Sequence, residues 1–341
     1  MAAKAKKLPS GNWRTQVFDY VDDSGKKHYK SFTAETKKES ELMAAQYSIN
    51  KEHQTPISEI TVSQCMNRYI DAKENVLSPG TVREYRNCAK NHFTDIERIQ
   101  ISKIDNTTLQ IWVSNISKDI SPKTVRNAWG LLRSSLQMFR PEFVPQITLP
   151  AKKQTALYTP SDDDVKRLLD HVKGKELEIA ILLAAFGPMR RGEICALESS
   201  DIKGNVITVS KSMILNDNKE WIVKQPKTYS SYRCIEMPDF VIERLKGIDG
   251  KIIQGTPDMI THRFQRAVKY THLENKFRFH DLRHYSVSIM HAIGVPDEYI
   301  MKRGGWSTSY IMNSIYRDTI APEEKKQTEK ILSHFSSVPM P

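Results

Sequence analysis

Four cysteines in 341 residues, Cys65, Cys88, Cys195 and Cys234, are too few and too scattered for a disulfide framework, and no Cys-x-x-Cys pair suggests a zinc cluster. They fit a reducing compartment. No uninterrupted apolar run is long enough to span a bilayer, and Lys4, Lys6 and Lys7 have no apolar core behind them as a secretory leader would. A soluble, cytoplasmic protein with no membrane partner is therefore expected. A separated acidic trio of the kind that holds two metals is also missing. Asp162, Asp163 and Asp164 are consecutive, so they point in different directions on a helix; behind the capping Ser161 they read as a first turn complementing the helix dipole. Neither a metal nor another cofactor is expected.

What is present is positive charge. A formal net charge of +11 and an isoelectric point near 9.3 point to a polyanionic partner, most simply nucleic acid, although many soluble proteins are basic for other reasons. The length suggests two or three domains.

The most informative stretch runs from His280 to Tyr316. His280 and Arg283 are three residues apart, which on a helix puts both side chains on one face, and the small and apolar residues that follow read as a buried helix. Gly304, Gly305 and Trp306 then make a tight turn carrying an indole, and Tyr316 closes a short amphipathic segment. A guanidinium, an imidazole, an indole N–H and a phenol make an inventory for handling a phosphate.

The order His280-x-x-Arg283, Gly305-Trp306-Ser307 and Tyr316 resembles the C-terminal half of the tyrosine recombinases of the phage-integrase family. Two further family elements lie upstream. An apolar helical run from Ile179 to Phe186 leads into GPMRRGEICAL, which gives Arg190 and Glu193 the Arg-x-x-Glu spacing, followed by Asp201-Ile202. Strands expected at Val206 to Val209 and Trp221 to Val223 precede PKTYSSYRCIEMP, where Lys227 stands at the place of the family's β-hairpin lysine. Two positions depart from the commonest family pattern: Pro188 stands where glycine is frequent, and Trp306 where histidine is frequent.

The resemblance implies the roles. Arg190 and Arg283 would hold the nonbridging oxygens of a DNA phosphodiester, and Tyr316 would attack it. His280 would assist proton transfer, Lys227 would protonate the leaving 5′ oxygen, and Trp306 would donate its N–H and buttress the site. The implied product is a 3′-phosphotyrosyl link with a free 5′ hydroxyl, which another strand can reverse without ATP.

The remainder of the chain fits the same scheme. Residues 1–55 read as a β-hairpin or three-stranded sheet, turning at Asp22-Asp23-Ser24-Gly25, with a helix from Thr36 to Ser48. This unit is similar to the arm-binding domain of integrases from conjugative elements and phages, with Arg14, Lys27, His28 and Lys30 as candidate DNA contacts. Residues 57–143 show four short helices opened by Thr61, Ser78-Pro79, Asn106-Thr107 and Ser121-Pro122, similar to the family's core-binding domain. Lys123, Arg126 and Arg133 lie off the apolar face of the last of these and are candidate phosphate contacts, solvated charge being the plainer reading of each. Residues 144–159 read as a linker and 160–341 as a mixed α/β catalytic domain, with a tail helix from Ala321 to Phe335 expected to dock on a neighbouring protomer. The fold class is thus multidomain, mainly α with small β.

Each assignment has a competitor. Arg191 adjoins Arg190 but lacks the spacing to Glu193, Lys224 competes with Lys227, and Tyr285, Tyr299 and Tyr310 compete with Tyr316. A zinc site from His280, His284 and His291 is disfavoured by Asp281, which stands where the HExxH motif has glutamate, and by the cation of Arg283. The expected function is a site-specific recombinase that integrates and excises a mobile element on double-stranded attachment-site DNA. It would act as a synaptic tetramer, with an excisionase and a DNA-bending protein as candidate partners. The alternative, a DNA-binding regulator that keeps the fold without using the nucleophile, is disfavoured by the full residue set.

Overall fold

The computed structural model describes residues 5–21, 27–54, 59–152, 158–225 and 232–308. Lys227, Tyr310, Tyr316, the Asp22–Gly25 turn and the Ala321–Phe335 segment lie outside them. The chain divides into two compact units, residues 1–72 with 87–151, and residues 73–86 with 152–341.

The first unit opens with an antiparallel sheet in the order β1 (Lys6–Lys7), β2 (Trp13–Val21), β3 (Lys27–Ala34). Strand alternation gives the sheet two faces. One packs on α1 (Lys37–Gln54), where Thr15 and Ser40 share a buried hydrogen bond of 2.5 Å and Phe32 meets Tyr47 at 5.2 Å. The other face carries Arg14, Gln16 and Phe18, paired across to Thr33, Ser31 and Tyr29, and is exposed. Helix α1 continues six residues past the expected end at Ser48, whose hydroxyl donates back to the Ala44 carbonyl (3.0 Å) in place of capping the helix.

The helical part comprises α2 (Val62–Lys73), α4 (Asn106–Ile116) and α5 (Pro122–Phe139), and the division between the units falls within α3 (Pro79–Asn91). Ser121 caps α5 by accepting from the Thr124 N–H (3.2 Å), with Pro122 in the first turn where its missing N–H costs nothing. Helix α4 is capped one residue earlier than the sequence suggests, by Asp105 (2.7 Å to the Thr108 N–H). Phe93 and Trp112 stack at 5.0 Å in the core. Residues 144–152 have no regular structure but are pinned to this bundle. Gln110 bonds Thr148 in both directions, and Arg126 forks the Pro150 carbonyl (3.2 and 2.9 Å).

In the second unit α6 (Asp162–Val172) opens with a capping box between Ser161 and Asp164. Asp164 is buried and also accepts from Tyr158 (2.5 Å), so the acidic turn does more than complement a dipole. Beyond its acidic first turn, α7 (Glu176–Phe186) is apolar on all sides, as a helix must be when other elements surround it, and it packs against α11 (Asp281–Ala292). A small sheet runs β4 (Ile202–Lys203), β5 (Val206–Val209), β8 (Arg233–Glu236), and β6 (Ser212–Leu215) pairs β7 (Trp221–Lys224) as a separate hairpin. The remaining helices are α8 (Arg191–Ile194), α9 (Asp239–Glu243), α10 (Pro257–Tyr270) and α12 (Asp297–Gly304).

Candidate active site

Helix α12 ends in a Schellman turn. Gly305 takes the left-handed conformation (φ 69°), its N–H bonds Lys302 O (3.3 Å), and the Trp306 N–H reaches back to Met301 O (3.0 Å). This turn leaves three consecutive carbonyls without intrahelical partners, and each accepts from a different arginine. Arg233 Nε donates to Arg303 O (2.9 Å), Arg283 Nη2 to Gly304 O (2.6 Å), and Arg190 Nη2 to Gly305 O (2.9 Å). The negative end of the helix dipole favours cations there. The GGW turn is thus the template on which three guanidiniums assemble.

One carboxylate orders two of them. Glu193 is 4 % exposed; it accepts from the Arg190 backbone (2.8 Å) and Nη1 (2.7 Å), and from two Arg233 nitrogens (3.2 and 2.8 Å). Burial pushes this carboxyl up, but the bonds and charges of Arg233 and Arg190 outweigh it and hold its pKa below the usual range. Three cations around one anion leave an excess of positive charge, which suits a phosphate.

Arg190 is the open member, its side chain 36 % exposed. Arg283 is the closed one. It is 1 % exposed, with Nη1 donating to Pro188 O and the Trp306 indole lying over its guanidinium, ring centroid 3.8 Å from Cζ. Pro188, where the family commonly has glycine, serves through its carbonyl. His280, the exposed N-cap of α11, already has helical dihedrals (φ −67°, ψ −23°), and the Arg283 N–H bonds its carbonyl (3.1 Å), so the three-residue spacing spans one turn; the imidazole is open, whereas Arg283 is buried beneath Trp306. The His280 ring, exposed at one side but crowded by protein and by His284, Arg283 and Arg190, has its pKa pushed down to about 4 against the pull of Asp281, so it is neutral at neutral pH.

Two of the competing residues have other work. Arg191 is hydrogen-bonded to the Thr261 hydroxyl. Tyr285 is buried and donates to Asp162 (2.8 Å); burial and that carboxylate raise its pKa, the wrong direction for a nucleophile. Tyr299 is exposed. Among the described residues no three His, Cys, Asp or Glu side chains are grouped so as to hold a metal ion, and no helix is long and apolar enough to cross a membrane. The structure brings Arg190, His280, Arg283 and Trp306 together. Arg14, Lys27, Lys123 and Arg133 are exposed elsewhere, and Arg126 is half-buried. Sequence reasoning passed over Arg233 as a site member. It also passed over the exposed polar stripe His262, Gln265, Arg266 and Lys269 on α10, which four-residue spacing could have revealed.

Residues 161–321 match the phage integrase family, a span that takes in all six expected catalytic positions. The chain thus carries a phage integrase domain, which spans a little under half of its length. It is accordingly a site-specific recombinase, an enzyme of DNA strand cleavage and ligation. A tyrosine recombinase XerC-like protein of Caldanaerobacter subterraneus subsp. tengcongensis is 25 % identical over 276 residues, 72 % of this chain and 71 % of that protein. In fold, the chain is similar to the Tn1549 transposon integrase in complex with transposon right end DNA (TM-score 0.65, 18 % identity, 80 % of this chain and 100 % of that one). It is similar also to a lambda integrase tetramer bound to a Holliday junction (TM-score 0.62, 15 % identity, 90 % and 96 % of the two chains).

Proposed function

We propose that this recombinase integrates and excises a mobile element through a covalent 3′-phosphotyrosyl link to Tyr316. The observation that carries the reading is the cluster of Arg190, Arg233 and Arg283 around Glu193 at the end of α12, an anion site with cations in excess. Arg190 takes one nonbridging oxygen directly, and Arg283 takes the other once the indole of Trp306 turns aside and offers its N–H. The Tyr316 phenol, with an ordinary pKa of about 10, gives up its proton as it attacks phosphorus. Neutral His280 assists that transfer. Lys227 delivers a proton to the departing 5′ oxygen, and the phosphoryl group rests on the tyrosine until a 5′ hydroxyl displaces it.

Binding divides among three parts: residues 1–55 on arm-type sites, 57–143 on the core site, and 160–341 as the catalytic domain after a linker over 144–159. The exposed sheet face supports the first assignment. It carries Arg14 and the edge-to-face pair Phe18 and Tyr29 (5.8 Å), and strand parity adds Lys27. Lys30 lies instead over the Tyr47 ring of α1 (4.5 Å). Lys123 and Arg133 are the open cations of α5. The active assembly is a tetramer on two DNA sites in the cytoplasm, held by exchange of the tail segment 321–335, and an excisionase and a DNA-bending protein set its direction. A two-plasmid assay with the element's junctions tests the reading. Recombinant joints that need both junctions are expected; relaxation of supercoils without joints would contradict it.

A further inference from the structure

Arg233 touches no reacting group in the chemistry above, yet it is fixed in the site more firmly than Arg190. It opens β8 opposite Val209 in the inward register, between exposed neighbours, and its side chain is 2 % exposed. Two of its nitrogens grip Glu193, the carboxylate that holds Arg190, and its Nε holds Arg303 O. The next two carbonyls in the chain hold Arg283 and Arg190. Arg233 therefore ties the acid that orients one arginine to the helix end that orients both. A buried ion pair of this kind adds little stability over an apolar replacement, so stability alone is a weak reason for an arginine here. The planar fork, which lysine lacks, is what the geometry uses.

We infer that Arg233 is a positioning residue for DNA strand cleavage: it fixes the separation and angle of the Arg190 and Arg283 guanidiniums at the scissile phosphate without touching that phosphate. The inference rests on the reading that those two arginines hold the nonbridging oxygens.

The test uses the full-length protein and a nicked substrate carrying either an ordinary scissile phosphodiester or a single methylphosphonate there. The methyl group removes the charge that the arginines balance. A defect in charge positioning shrinks on that substrate, whereas a loosened fold slows both alike. Arg190→Ala is the reference, and melting temperature and DNA affinity are followed in parallel. Arg233→Lys is expected to bind DNA like the wild type and to cleave the ordinary substrate slower by on the order of 100-fold, since small misplacements of a reacting group cost about that much. Its deficit should then shrink on the methylphosphonate in step with that of Arg190→Ala. If Arg190→Ala recovers while Arg233→Lys is equally slow on both substrates, or is as fast as the wild type on the ordinary one, the inference is overturned and the assigned roles of Arg190 and Arg283 stand. If Arg190→Ala does not recover either, those roles fall, and the inference with them. Should Arg233→Lys not fold, Arg233→Gln, which leaves Glu193 and its bonds to Arg190 in place, is used with the same outcomes.

Discussion

The indole of Trp306 lies over the guanidinium of Arg283, 3.8 Å from centroid to Cζ, and closes that arginine from solvent. Phosphate can reach Arg283 only if the indole moves. Tryptophan emission should therefore change when the recombinase binds its core site, and the change should vanish in Trp306→Phe. Trp306→Ala, which removes a buried aromatic, is expected to lower stability by about 3 kcal/mol in urea denaturation.

Gly304 has no room for a side chain. A Cβ there would overlap the six-membered ring of Trp306, so Gly304→Ala must push the indole off Arg283. Strand cleavage should fall by on the order of tenfold or more as the arginine loses its register. Gly130, in the exposed face of α5 with nothing within 4 Å of where a methyl group would sit, gives the opposite result: Gly130→Ala should raise stability by about 0.8 kcal/mol with cleavage unchanged. Thermal melting and a cleavage time course on the two variants check both statements.

Three histidines of one segment give a pH dependence whose sign is fixed. Burial pushes His291 down to about 4 and lowers His284, and His280 is also near 4, whereas all three titrate near 6.5 in an unfolded chain. As pH falls from 6.5 toward 4 the unfolded chain takes up protons that the folded protein refuses, so stability drops across that window and is flat above it. Glu193, whose folded pKa is held below its ordinary 4.5, continues the loss at still lower pH as it is protonated. Urea denaturation between pH 4 and 8 should show this slope, made shallower by His284→Gln. Cleavage should show no acid limb centred near 6.5, because His280 is already neutral there.

Helix α5 separates two kinds of cation. Arg126 is bound to the Pro150 carbonyl, while Lys123 and Arg133 are open to solvent. Arg126→Ala should cost about 1 kcal/mol of stability through the lost anchor. Lys123→Ala and Arg133→Ala should leave stability alone and each lower the slope of log affinity against log salt by about 1.

Much of the site was legible because its signals are local. Gly305 has to follow α12 where the chain enters a left-handed turn, and the Arg190-to-Glu193 spacing closes on itself across one turn. Arg233 was not legible, because an arginine after a polar loop reads as exposed and its partner Glu193 lies 40 residues away. The tie between Tyr285 and Asp162 spans 123 residues, so the acidic turn of α6 could be read only as dipole complement. Helical phase set Arg126 off the apolar face correctly, but phase says nothing of a carbonyl 24 residues on that claims the guanidinium.

The proposed chemistry stands or falls on Tyr316 carrying the DNA. A nicked substrate built from the element's junctions, incubated with wild type or Tyr316→Phe and run on denaturing gels, decides it. A 3′-linked protein–DNA adduct is expected with the wild type and none with the variant. An adduct that survives the substitution would move the nucleophile to another tyrosine, and tight binding by the wild type with no adduct would contradict the chemistry itself.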